Sequence, residues 1–232
     1  MNFRISAADR FFVSGYAGED SYDRTVAGAG SLLDNRFSWG NRAANLRWTS
    51  IASPSLFLEA SAVYTRYACD LDHQFVDAAT LLPGSRYGST YGIDDVVLRA
   101  DAEHFYDDEH TVRGGAALTH HRVSGTLDEF SLQASPLSLD GLSAWELAVY
   151  FQDQWRLLPG VTAEIGARAT NFAGSDGSFS GIEPRFSLRI SLGERALLWA
   201  GLTSMNEFMH PYRNSGVPLF YPATVWYPST NR

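Results

Sequence analysis

The sequence has no long hydrophobic run and almost no cysteine. No segment approaches the roughly 18 consecutive apolar residues that a membrane-spanning helix needs. The single cysteine, Cys69, excludes an intrachain disulfide and a cysteine-based metal site. Because Cys69 lies where a strand-like run passes into a polar segment, we interpret it as a small side chain without a chemical role.

Positive charge is also scarce. The 232 residues include 18 Lys and Arg against 26 Asp and Glu, which gives a net charge of −8, and the basic residues are scattered. A nucleic-acid-binding surface needs a basic patch or stripe. We therefore expect no nucleic-acid partner.

The motifs of common catalytic centres are missing from the sequence. It contains no GxSxG elbow, HExxH pair, P-loop, CxxC pair or Rossmann glycine pattern. His120 and His121 point to opposite faces of a strand, so they cannot bind one ion together from there. The acidic segments lack the spacing of an EF-hand. We expect no enzymatic activity, no cofactor and no metal site.

What the sequence does contain is a succession of segments in which apolar and polar residues alternate. We predict about ten strands, at 2–6, 10–19, 37–50, 56–68, 91–105, 110–122, 144–157, 161–172, 184–192 and 196–204. The short links between them are 7–10, 52–55, 107–109, 158–160 and 193–195. The long polar links are 19–36, 69–90, 124–143 and 174–182.

Tight turns at one end of the strands and long loops at the other are typical of barrels in the outer membrane of Gram-negative bacteria. The sequence therefore predicts an all-β fold. It is an antiparallel, up-and-down transmembrane β-barrel segment with short periplasmic turns and long extracellular loops. The barrel segment covers residues 1–204, and residues 205–232 form a truncated tail that resembles an extracellular loop. Neither end of the chain has the features of a complete barrel protein, so we expect a piece of a longer one.

The clearest strand begins at Trp145. Its odd positions are Trp145, Leu147, Val149, Phe151, Asp153 and Trp155, all apolar except Asp153. The two indoles lie about 33 Å apart along a strand, which projects to about 24 Å at a 45° tilt. This matches the roughly 25 Å apolar band of outer-membrane barrels, so we predict that Trp145 and Trp155 mark the two lipid interfaces. In the alternative, a soluble β-sandwich, the same side chains pack inward against a second sheet.

The opposite positions of the last strands carry polar and charged side chains, which suit a watery barrel interior. An unpaired charge in a soluble core is costly, although the same face of a sandwich would simply meet solvent. The predicted lumen-facing residues are Gln152, Gln154, Glu164, Arg168, Arg185 and Arg189.

Several stretches of the last third share their residues, order and spacing with a known family. They are YFQDQW at 150–155, EPRFSLR at 183–189, MNEFMH at 205–210, NSG at 214–216 and VWYPS at 225–229. In these residues the chain resembles TonB-dependent outer-membrane receptors, and more narrowly the Bacteroidetes branch that includes the SusC-like importers. Asn206, His210 and Trp226 match the family's pattern in loops, and we predict them as extracellular-loop contacts.

The resemblance implies a 22-stranded barrel plugged by an N-terminal domain. Such a receptor imports a scarce nutrient, such as a glycan, peptide or siderophore, with energy passed on through TonB. It implies outer-membrane lipid, the TonB complex, a small solute and a lipoprotein lid as partners. The sequence lacks the plug through which TonB acts and about half of the strands, so we expect no transport by this chain alone.

Two other interpretations stay open. The first is a complete ten-stranded barrel enzyme of the omptin kind, with paired acids and an Asp–His pair near the outer rim, for which Asp94, Asp95 and His121 are the candidates. The second is a soluble β-sandwich that acts as a binding module. Aromatic side chains of the tail form either an exposed binding surface or a private loop core.

Overall fold

The computed structural model describes residues 1–28, 30–127, 137–138, 141–175, 177–212 and 225–229. The strands are β1 (Asn2–Arg4), β2 (Asp9–Ala27), β3 (Ser31–Ser53), β4 (Leu56–Asp77), β5 (Pro83–Phe105), β6 (His110–Leu127), β7 (Leu137–Ser138), β8 (Leu142–Leu158), β9 (Val161–Gly174), β10 (Gly177–Leu192), β11 (Ala196–Thr203), β12 (Met209–Tyr212) and β13 (Val225–Pro228). The described part of the chain contains no helix of the length and apolarity that crossing a membrane requires.

One antiparallel sheet forms the body of the molecule. Its strand order is β1-β2-β3-β4-β5-β6-β8-β9-β10-β11, so each strand pairs with the next along the chain, and the two-residue β7 adds to β6. β12 and β13 form a separate hairpin. The all-β, up-and-down prediction of about ten strands is confirmed.

The sheet is open in the described residues. β1 pairs only with β2, and β11 pairs only with β10. Because β1 covers only three residues of its neighbour, most of the 19-residue β2 is also a free edge. Free edges present unpaired backbone N–H and C=O groups, which a barrel removes by closing on itself.

Tight turns join the strands at one end of the sheet, as predicted. The turn between β5 and β6 is built on Asp107, whose carboxylate accepts hydrogen bonds from the backbone N–H groups of Glu109 (2.8 Å) and His110 (2.7 Å). These two bonds lower the pKa of Asp107. The turn between β8 and β9 contains Gly160 at φ +83°, a conformation that suits glycine.

At the other end the structure differs from the prediction, because the strands extend well into the segments predicted as loops. β4 runs to Asp77 and β5 starts at Pro83, so only 78–82 connect them, instead of 69–90. β9 and β10 are likewise separated by 175–176 alone, and β2 and β3 by 28–30. Part of the predicted link 124–143 lies outside the described residues. In β4 the alternation continues past Thr65 with the apolar residues on the other face, at Tyr67, Cys69 and Leu71.

The sheet is curved, and one of its faces is concave. A cavity of 510 Å³ is lined by residues of β5, β6, β8, β9 and β10, among them Arg99, Arg113 and Arg185. Because side chains of five neighbouring strands line this one cavity, the sheet curves around it and is concave on the side of these arginines. We call this side the concave face and the side of Trp145 the outer face.

Candidate functional site

The outer face carries a broad apolar belt that is open to the surroundings. The five apolar residues of β8 that the sequence places on one face are all exposed. Their exposed fractions are 50% for Trp145, 48% for Leu147, 51% for Val149, 60% for Phe151 and 39% for Trp155. They do not pack inward against a second layer of described residues, as the sandwich interpretation requires. Trp145 and Trp155 are exposed on the outer face, and their role at lipid interfaces stays a prediction.

The belt extends across the whole sheet in hydrogen-bonded rows. Directly paired residues of antiparallel strands have their side chains on the same face. One row consists of Val13, Leu46, Ala62, Leu98, Leu118 and Leu147. The next row consists of Phe11, Trp48, Ala60, Ala100, Ala116, Val149, Ala169 and Ile182. The second row is apolar from β2 to β10. The first row is apolar from β2 to β8 and continues with the polar residues Asn171 and Ser180.

Polar partners accompany the two indoles that border the belt on β8. Asp153, the one acid in the alternation, has its carboxylate 2.7 Å from Nδ1 of His110. The His110 ring stacks on Trp155 with ring centroids 5.4 Å apart. At the other border the rings of His120 and Trp145 are in contact, with centroids 4.4 Å apart. Asp153 is therefore partnered beside the short-turn end of the sheet.

The belt ends abruptly towards the long-strand end. Beyond the row that contains Ala44, Tyr64, Val96 and Trp145, the next row on the outer face consists of Arg42, Arg66, Asp94, Arg122 and Ser143. Further along, Asp23 and Arg36 form an ion pair at 3.1 Å, and Asp72 and Arg86 form one at 2.6 Å. Charged side chains therefore lie on the outer face beyond the belt.

At the same end of the sheet, the concave face changes from polar to apolar. Here it buries an aromatic and aliphatic cluster, of which Cys69 is a member at 5% exposure. The cluster consists of Phe37, Cys69, Leu71, Tyr91 and Val123, with Trp39, Tyr67, Ile93, Leu142 and Met209 packed against it. The prediction missed this core, although Tyr67, Cys69 and Leu71 alternate with Ala68, Asp70 and Asp72 in the sequence. The Asp residues made the segment resemble a loop.

Nearer the short turns the concave face is polar. All six predicted lumen-facing residues lie on this face, opposite Trp145, as the strand register shows. Gln152, Arg168 and Arg185 line the 510 Å³ cavity. The lumen itself stays a prediction for these residues, together with Gln154, Glu164 and Arg189.

Arginine–carboxylate pairs dominate this polar wall. They join Arg99 to Asp101 (2.6 Å), Arg113 to Glu103 (2.8 Å), Arg168 to Glu146 (2.9 Å) and Arg185 to Glu183 (3.8 Å). Tyr150 also donates its hydroxyl to Asp101 at 2.5 Å. Each of the four arginines that line the cavity therefore has an acidic partner, and the wall carries charge without a net excess of either sign.

The first residues of the tail fold back onto the concave face. The fully buried Phe172 stacks on Phe208 with ring centroids 5.2 Å apart. Glu183, 3% exposed, accepts a hydrogen bond from the backbone N–H of Asn206 at 3.2 Å. The side chain of Asn206 lies so close to Gly181 that an added Cβ there would be only 2.2 Å from its Nδ2. The tail is thus held by aromatic stacking and by a buried carboxylate.

The three predicted extracellular contacts take different positions. Asn206 is bound to Glu183, and His210 has its Nε2 2.9 Å from the Ser229 hydroxyl. The backbone of Trp226 pairs with Pro211 in the β12–β13 hairpin. Contact of these residues with an external ligand stays a prediction. Of the other tail aromatics, Phe220 and Tyr221 lie outside the described residues.

The structure also places the residues considered for an enzyme. Asp95 lies 2.8 Å from Nδ1 of His121 on the concave face. Asp94 lies on the outer face, bound to Arg66, so it does not join this pair. His121 has only 13% of its side chain exposed, and its buried Nε2 has no hydrogen-bond partner among the described residues.

Comparison with known proteins yields structural similarity only. No model of a protein family and no curated protein sequence matches the chain. The chain is similar to the ferric yersiniabactin uptake receptor FyuA from Yersinia pestis, with a TM-score of 0.47 and 9% identity over 82% of this chain and 38% of that chain. It is similar to the siderophore receptor PirA from Pseudomonas aeruginosa, with a TM-score of 0.40 and 14% identity over 99% of this chain and 48% of that chain. The β domain of the Bordetella autotransporter BrkA aligns with a TM-score of 0.40 and 15% identity over 84% of both chains. The chain therefore spans less than half the length of the two receptors.

Proposed function

We propose that this chain lies in the outer membrane of a Gram-negative bacterium as part of a β-barrel. The observation that carries the proposal is the apolar belt, which is exposed across the outer face and ends at a charged row. Contiguous apolar patches beyond a few hundred Å² are rare on soluble monomers, whereas hydrocarbon accommodates them. The short turns are then periplasmic and the long hairpins extracellular.

In a membrane, the two free edges of the sheet need partner strands. Open edges do not occur in hydrocarbon, because their backbone groups have no partner there. We propose that the outer sides of β2 and β11 pair with further strands in the membrane. β11 fits such a position, since Leu197 and Trp199 on one face and Leu198 and Leu202 on the other are all exposed.

Within this class we propose an importer, a TonB-dependent receptor. Support comes from the polar concave face with its paired arginines and from the sequence resemblance over residues 146–229. The SusC-like branch rests on that resemblance alone. The proposed partners are outer-membrane lipid, an imported small solute, a lipoprotein lid and the TonB complex, which acts on such receptors through a plug domain.

Deletion of the gene in its native host tests the importer proposal. We expect loss of uptake of one solute class among glycans, peptides and ferric siderophores. Wild-type uptake should also stop when a protonophore collapses the proton gradient, because TonB transmits energy from it. A wild-type copy should restore uptake in the deletion strain. Unchanged uptake of every class would contradict the importer role, whereas fractionation of the outer membrane tests the location separately.

The contact between Asp95 and His121 supports a second candidate function, that of an outer-membrane hydrolase. A carboxylate on Nδ1 can orient an imidazole as a general base. The other ring nitrogen of His121, Nε2, is buried, however, and Asp94 lies on the opposite face of the sheet. We therefore propose a structural role for the pair of Asp95 and His121. We expect no peptidase activity above background from wild type or from His121→Ala in detergent. Hydrolysis by wild type that His121→Ala abolishes would establish the enzyme instead.

A further inference from the structure

An arginine row lies directly beyond the apolar belt on the outer face. Arg42, Arg66, Asp94 and Arg122 are consecutive direct partners across β3, β4, β5 and β6. The adjoining row towards the belt contains the apolar side chains of Ala44, Tyr64 and Val96. We call these three arginines and Asp94 the arginine row.

Two of the arginines in this row have unused donors. Arg66 contacts Asp94 at 3.2 Å, and the Tyr64 hydroxyl also donates to Asp94 at 2.7 Å. Arg42 and Arg122 are exposed and make no ion pair or side-chain hydrogen bond with any described residue. The row therefore presents an excess of two positive charges at the border of an apolar surface.

A shallow groove of 240 Å³ lies on the side of the row away from the belt. Gly40 and Ala68, the row next to the arginine row, line this groove together with Glu19 and Asp70. A Cβ at Gly40 would come within 3.0 Å of the Gly18 carbonyl oxygen. Arginines towards the belt and carboxylates that line the groove suit a headgroup that carries a phosphate and, next to it, hydroxyl or ammonium donors.

We propose that the arginine row binds the phosphate of a lipid headgroup whose acyl chains lie along the apolar belt. The inference rests on the proposed membrane location. Guanidinium groups bind phosphate oxygens through paired, charge-assisted hydrogen bonds. A lipid matches both halves of the surface, because its phosphate reaches the row only while its chains cover Leu46, Val96 and Leu98. Free phosphate would use the row alone.

Native mass spectrometry of the protein extracted in detergent from the outer membrane of its host tests this proposal. The probes are diphosphoryl lipid A and the same lipid after enzymatic removal of its phosphates. We expect wild type to retain the phosphorylated lipid preferentially. The Arg42→Gln/Arg122→Gln variant should bind it about 25-fold more weakly, since each arginine near an anionic lipid surface contributes about fivefold. Both proteins should retain the dephosphorylated lipid equally.

The matched control is Arg156→Gln/Arg195→Gln, which removes the same charge from two exposed arginines at the short-turn end. It should retain lipid A as wild type does. Equal loss of lipid A retention in both double variants, or no loss in either, would refute the proposed site. The arginines would then be interface residues that only extend into water. Complete displacement of lipid A by inorganic phosphate would make it a free-phosphate site. Absence of the protein from the outer-membrane fraction of its host would refute the proposed function itself.

Discussion

Arginine in place of Val149 is expected to destabilise the chain in a lipid bilayer by about 2–4 kcal/mol, the cost of this side chain at the midplane of an outer-membrane barrel. Val149 lies midway between Trp145 and Trp155 and is 51% exposed on the outer face. Its direct partners are Ala116 and Ala169, so no acid is near enough to pair with the new charge. In water, a substitution at so exposed a position changes stability by only about 0.5 kcal/mol.

Urea titration of the protein, purified from the host outer membrane and reconstituted in phosphatidylcholine vesicles so that β2 and β11 keep any partner strands, measures this difference. The matched control is Gln154→Arg on the same strand, which places the same side chain on the concave face directly opposite Glu164. We expect the control to stay within about 0.5 kcal/mol of wild type. If Val149→Arg were as stable as the control, the outer face would not meet hydrocarbon, and the outer-membrane proposal would be refuted.

Alanine in place of Phe172 is expected to cost about 3–5 kcal/mol, the range for a large aromatic side chain lost from a packed core. Phe172 is fully buried and stacks on Phe208 at a centroid distance of 5.2 Å. The cavity left behind removes the aromatic contact that holds the tail. We therefore expect Phe208 and the residues after it to detach from the concave face, while Asn206 keeps its hydrogen bond to Glu183.

Two measurements separate loss of stability from release of the tail. The free energy of unfolding gives the first, and limited proteolysis beyond Ser204 gives the second, since a detached tail is cleaved faster. Phe186→Ala is the control, because Phe186 is the same residue type on the outer face at 46% exposure. It should leave cleavage of the tail unchanged. Equal cleavage rates in Phe172→Ala and wild type would show that the stacking does not hold the tail.

The sheet was predictable from the sequence because side chains alternate across a strand with a period of two. In β8 the exposed fraction rises and falls with this period from Ala144 to Phe151, and the apolar residues occupy the exposed positions. The tight turns were also predictable, since Asp107 and Gly160 are residues whose chemistry favours reversal of the chain. The candidate lumen residues follow from the same alternation.

The extended hairpins were not predicted because composition conflicted with periodicity. Asp70, Asp72 and the glycines near them are typical of loops, yet Cys69 and Leu71 between these acids face a buried cluster. Within β4 the apolar residues move from the even positions of 56–64 to the odd positions of 67–71, but the acids beside them outweighed this alternation in the prediction. The arginine row was missed because its members are 24 to 28 residues apart in sequence and meet only through the register.

By itself, the sequence determined the strands, the tight turns and the side of each strand on which apolar residues lie, because these are local consequences of residue type and alternation. Only the tertiary structure decided which of the two faces is concave, which charged residues meet in the arginine row, and that the start of the tail returns to cover Phe172. Those features depend on the pairing register and curvature of ten strands together. They arise from contacts between residues that are distant in the chain, which no local pattern specifies.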